Sequence, residues 1–105
     1  MPRRLRSPED DAAFLGMGRV IAQLRERRRM RPEELAERIE EDARTVERLE
    51  RGEVNADWAT LRVVAQVLAI PLDSLIELAE ESAPGEGGQK WRQWSREAEA
   101  RRDDG

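Results

Sequence analysis

The 105-residue chain has no cysteine, no histidine and no tyrosine, and only one phenylalanine and three tryptophans. Without cysteine there is no disulfide framework, thiolate metal site or thiol nucleophile. Without histidine, the commonest general base and the usual zinc ligand are missing too. A single lysine and no glycine-rich phosphate cradle leave no catalytic constellation to assign, and no metal site or cofactor is expected. No apolar run exceeds four residues, as in Val67-Leu68-Ala69-Ile70, far below the ~20 needed to cross a bilayer. The opening Met1-Pro2-Arg3-Arg4-Leu5-Arg6 does not lead into the apolar core of a signal peptide. A small cytoplasmic domain that binds rather than catalyses is expected.

What the chain has in abundance is charge: 40% of its residues are Asp, Glu, Lys or Arg, with a net charge of −4. The distribution is uneven. Residues 1–31 hold 9 basic and 4 acidic groups, residues 32–57 hold 4 and 10, and residues 82–105 balance at 5 and 5. A basic surplus that grips phosphate must therefore come from the first third. The acidic middle stands against a nucleic-acid partner.

Runs of β-branched and aromatic residues with period two are absent, and apolar spacings of three and four recur in five places. Phe14, Met17, Ile21 and Leu24 mark a first helix. Leu35, Ala36 and Ile39 mark a second, opened by Pro32 with Glu33 and Glu34 at its positive dipole end. Val46 and Leu49 mark a third, with Asp42 as N-cap and Gly52 as stop. Trp58, Leu61, Val64, Ala65 and Leu68 mark a fourth, capped by Asp57 or Asn55. Leu72, Leu75, Ile76 and Ala79 mark a fifth, started by Pro71. Expected boundaries are a flexible basic arm over 1–11, a folded unit over 12–81, a glycine-rich linker over 82–89 and a helical tail over 90–105. Trp91 and Trp94, three residues apart, share one face of that tail. They are expected to pack on the bundle or on a second subunit, the alternative being an unstructured tail.

The second and third helices, 32–39 and 43–51, are separated only by Glu40-Glu41-Asp42, the spacing of a helix-turn-helix. Arg44 and Arg48 lie one turn apart on the outer face of the third helix, opposite Val46 and Leu49. Arginine's fork matches the guanine edge in the major groove. The plain alternative is that both solvate the helix and pair with Glu47, Glu40 or Glu41.

Over Gly18-Arg19-Val20-Ile21, Leu24-Arg25-Glu26, 32–39, Thr45-Val46-Glu47-Arg48-Leu49-Glu50-Arg51-Gly52, 61–68 and 71–75 the chain resembles the Xre family of phage Cro and repressor proteins. The resemblance implies an all-α, five-helix lambda-repressor-like DNA-binding bundle, here with a C-terminal tail helix. It also implies a transcriptional regulator that acts as a homodimer on double-stranded DNA. By the same resemblance Ala43, Arg44 and Arg48 face the groove, Arg25, Arg51 and Asn55 approach phosphates, and Arg25 pairs with Glu50. Thr45 is a further DNA-binding candidate, and so is Arg31, which ends the basic run Arg25, Arg27, Arg28, Arg29 and Arg31. That run either lies against a phosphate backbone or complements the helix dipole and pairs with Glu33, Glu34 and Glu37. Departures lie in the turn, where Glu40 and Glu41 replace the usual glycine and apolar residue, and at Pro32, where relatives often carry glutamine. A left-handed glutamate at residue 40 costs about 1 kcal/mol or forces a different turn. These departures keep a second reading open, a degenerate helix-turn-helix used as a protein–protein adaptor. No small-molecule substrate is expected.

Overall fold

The computed structural model describes residues 7–54, 56–85, 87–89, 91–93 and 96–97, and all its regular structure is helical. The five main helices are α1 (Pro8–Arg27), α2 (Pro32–Arg38), α3 (Ala43–Glu50), α4 (Trp58–Val67) and α5 (Leu72–Ser82). Residues 87–89, 91–93 and 96–97 are helical as well. Among the described residues no single helix is long and apolar enough to cross a membrane.

α1 starts at Pro8, so the expected arm over 1–11 is too long: residues 8–11 are helical. The cause is local. The Ser7 hydroxyl accepts the Asp10 N–H at 3.1 Å, Pro8 occupies the first turn, and Glu9, Asp10 and Asp11 face the positive end of the helix dipole. α3 and α4 begin the same way. Asp42 accepts from the Thr45 N–H at 2.7 Å and Asp57 from the Thr60 N–H at 2.8 Å. Asp57 is thus the α4 cap, and Asn55 lies outside the described residues. Those hydrogen bonds hold both carboxyls below their ordinary pKa, Asp42 with added help from Arg44. Both caps therefore stay ionised into more acidic solution than free carboxylates do.

The helix ends share one device that the sequence reveals only once. Arg29, Glu40, Gly52 and Ala69 have φ of 54°, 60°, 74° and 53°. Each is the left-handed residue of a Schellman turn closing α1, α2, α3 or α4. The following residue donates its N–H back five positions: Met30 to the Arg25 carbonyl, Glu41 to Ala36, Glu53 to Arg48 and Ile70 to Ala65, at 2.9–3.1 Å. Only Gly52 adopts this conformation without steric cost. Relief of ~1–2 kcal/mol of left-handed strain outweighs the flexibility glycine adds to the unfolded chain. Glu40→Gly and Ala69→Gly should each raise stability by about 0.5–1 kcal/mol in urea denaturation. A loss in either variant would show that the turn is held by the side chain.

The core runs through all five helices, with Met17, Ile21, Leu35, Val46, Leu61, Val64, Leu68 and Leu75 fully enclosed and Phe14 and Leu24 packed at its margin. α1 lies against α5 and α3, α2 against α3, and α4 against α5. Two glycines set the closest approaches of α1. A Cβ on Gly16 would lie 2.7 Å from the Ala79 carbonyl, and one on Gly18 would collide with the Leu49 and Glu50 carbonyls.

The expected linker over 82–89 is corrected in part. Residues 87–89 are helical, and Gly87 and Gly88 are buried. A Cβ on Gly87 would sit 2.7 Å from Ala12 and Ala13, and one on Gly88 2.7 Å from the Glu80 carbonyl. These glycines let the chain press against α1 and α5 rather than loosening it. Trp91 is consequently buried: its indole N–H donates to the Ala13 carbonyl at 2.7 Å, and its ring meets Phe14 edge-on at 5.4 Å. Of the two expected outcomes for Trp91, packing on the bundle is the one observed. Trp94 lies outside the described residues.

Candidate nucleic-acid interface

α2 and α3 pack on each other and are joined by Ile39–Asp42. Of the two possibilities for Glu40, strain rather than a changed turn is observed, with φ at +60°. Glu41 is exposed, so the turn lacks the usual apolar anchor. α3 is nevertheless held from its other side: Val46 is fully buried and Leu49 is nearly so.

Burial of Val46 and Leu49 turns Arg44, Glu47, Arg48 and Arg51 to solvent, with Ala43 and Thr45 half-buried beside them. Among the described residues neither Arg44 nor Arg48 forms an ion pair, so the expected alternative of pairing with Glu47, Glu40 or Glu41 is not realised. Arg31 and Arg51 differ. Arg31 Nε lies 3.3 Å from Glu34 and 4.0 Å from Glu33, and Arg51 Nε lies 3.3 Å from Glu53. All three pairs are solvent-exposed and each is worth only ~0–1 kcal/mol, little hindrance to exchange for a phosphate. Arg27, Arg28 and Arg29 also stand in solvent at the end of α1. Among the described residues none of these three pairs with an acid.

Arg25 and Glu50 meet as the resemblance implies. Nε donates to Glu50 Oε2 at 2.6 Å and Nη2 to Oε1 at 3.0 Å, a two-pronged contact between side chains that are each 11% exposed. Nη1 donates to the Met30 carbonyl at 2.8 Å, fastening the α1–α2 loop to the same fork. The hydrogen bond to Glu50 raises the Arg25 pKa above its ordinary value, against the opposing effect of burial. This geometry corrects the assignment of Arg25 to phosphate contact: its donors point inward, and it positions α3 instead. Asn55 lies outside the described residues. Sequence reading gave no role to Gly18, although its missing side chain is what brings α1 onto the end of α3. Helical periodicity marks a residue's face but not how near a backbone comes to it.

The family model described as "Helix-turn-helix domain" matches residues 17–78, from the middle of α1 to the last turns of α5. The chain belongs to this helix-turn-helix family. A search of curated proteins found no match to it.

Proposed function

We propose that the protein is a sequence-specific DNA-binding transcriptional regulator of the Xre type, acting in the cytoplasm as a homodimer on a two-fold site and catalysing no reaction. The observation that carries this reading is the pair of exposed arginines, Arg44 and Arg48, one turn apart on the outer face of α3 and free of ion pairs among the described residues. Ala43 and Thr45 complete the groove-facing set. Arg31 and Arg51 are the phosphate contacts, and Asn55 keeps that role on the resemblance alone. A dimer would set its two α3 helices about 34 Å apart, or a multiple of that, to meet successive major grooves.

Arg44→Ala or Arg48→Ala should cost about 1–3 kcal/mol on the preferred site and relax base preference at one position. Arg51→Ala should weaken binding to all sequences equally and lower the salt slope by about one. Glu47 opposes phosphates, so Glu47→Gln should strengthen non-specific binding unless Glu47 accepts from a cytosine. The measurement is a selection of bound sequences, followed by titrations at several salt concentrations.

The acidic surface supports a second reading, that of a protein-binding adaptor. Glu33, Glu37, Glu40, Glu41 and Glu47 are all exposed on the helix-turn-helix, within a segment of 10 acidic and 4 basic residues. If both the wild type and Glu47→Gln fail to bind any duplex at low salt, the adaptor reading replaces the regulator.

A further inference from the structure

The four Schellman turns do not end alike. Such turns commonly pack the residue after the left-handed position back on their own helix. At the end of α1 that residue is Met30, which is buried, and at the end of α4 it is Ile70, which packs on the core. At the ends of α2 and α3 it is Glu41 and Glu53, both in solvent; Glu53 pairs with Arg51 at 3.3 Å, whereas Glu41 forms no ion pair among the described residues. Beside Glu41 lies an open hollow of about 160 Å³, lined by Ile39, Ala59, Thr60 and Val63 as well as Glu41 itself. Val63 is one of the two large apolar residues exposed among the described ones. The volume is close to the ~150 Å³ that accepts a benzene ring, room for one leucine-sized side chain. Glu37, Glu40 and Asp42, the sequence neighbours of Glu41, are exposed and form no ion pair among the described residues.

An occupant should therefore offer one apolar side chain flanked by cations. The chain contains such a segment in Arg3-Arg4-Leu5-Arg6. Its own arm is tethered at Ser7, and two extended residues span only about 7 Å. Ser7 caps α1, whose first turns lie against Gly87 and Trp91 rather than along the α2–α4 edge. The arm of another copy has no such tether. We propose that the hollow between α2 and α4 seats the N-terminal arm of a second copy of this chain, with Leu5 in the hollow and Arg4 and Arg6 against the Glu41 rim. The contact is independent of the reading of Arg44 and Arg48, and it links two copies through surfaces other than the outer face of α3.

The absence of native cysteine makes the test direct. In full-length protein, Leu5→Cys combined with Val63→Cys should form disulfide-linked dimers in air at least tenfold faster than Leu5→Cys combined with Gln23→Cys, whose second site is exposed on α1. Adding Glu41→Lys should slow the cross-link about tenfold. In the otherwise native chain, Leu5→Asp should weaken self-association at least tenfold by sedimentation, with an unchanged circular dichroism spectrum. Several results would overturn the proposal: cross-linking no faster than the control, a disulfide formed within one chain, indifference to Glu41→Lys, or a wild type that is monomeric at every concentration. The Leu5→Asp arm of the experiment keeps the test decisive even if a cysteine variant fails to fold.

Discussion

Trp91→Ala should lower stability by about 3–5 kcal/mol in urea denaturation followed by circular dichroism, the range for deleting a large buried aromatic side chain. Trp91 is 3% exposed, so almost all of its apolar surface is withdrawn from water. The variant also loses the hydrogen bond to the Ala13 carbonyl and the edge-on contact with Phe14. The two buried glycines preceding it hold the chain too close to α1 and α5 for another side chain to fill the space. A domain of this size has a total stability of only about 5–15 kcal/mol, so the variant should be partly unfolded at physiological temperature. Truncation after residue 84 should produce a loss of the same order. Trp91→Phe should retain most of the apolar contact and lose about 1 kcal/mol with the hydrogen bond. A change below 1 kcal/mol for Trp91→Ala would mean that the C-terminal segment lies outside the cooperative unit.

The second large effect belongs to the Arg25–Glu50 tie. Arg25→Ala or Glu50→Ala should each cost about 2–4 kcal/mol, well above the ~0–1 kcal/mol of an exposed pair, because the remaining charge is left mostly desolvated and without its partner. Removing both should cost clearly less than the sum, with a coupling energy above 1 kcal/mol in a double-mutant cycle. Glu50→Ala should also loosen the α1–α2 loop, since the fork that grips Glu50 also holds the Met30 carbonyl. Faster amide exchange over residues 28–31 would report that loosening. Strictly additive single effects would show that the two side chains do not act as a unit.

Both effects rest on contacts between residues far apart in the chain, and the sequence reveals them unequally. Arg25 and Glu50 were legible only through the family resemblance, because nothing in local spacing tells an arginine on one helix which glutamate on another it will meet. Trp91 was legible as an apolar side chain in need of cover, but the covering surface was not. The glycines before it read as a linker because glycine marks a flexible joint and a close backbone approach with the same letter. The start of α1 was misjudged for a related reason. Ser7-Pro8 followed by three acids is a strong N-terminal signal, but no apolar periodicity accompanies it until Ala13 and Phe14.

By itself the sequence determined the helical class, the order and approximate extent of the five helices, the Asp42 cap, the buried stripe of each helix and the outward face of α3, and it narrowed the α4 cap to Asp57 or Asn55. All of these follow from interactions within one or two turns: side-chain periodicity, capping and the helix dipole. Tertiary structure alone decided four things. It turned Arg25 inward to hold α3, and among the described residues it left Arg44 and Arg48 out of any ion pair despite the carboxylates nearby in sequence. It seated Trp91 on α1, and it opened the hollow beside Glu41. Each of these depends on which surfaces come within a few ångströms of one another, and that distance is set by the packing of whole helices rather than by any local run of residues.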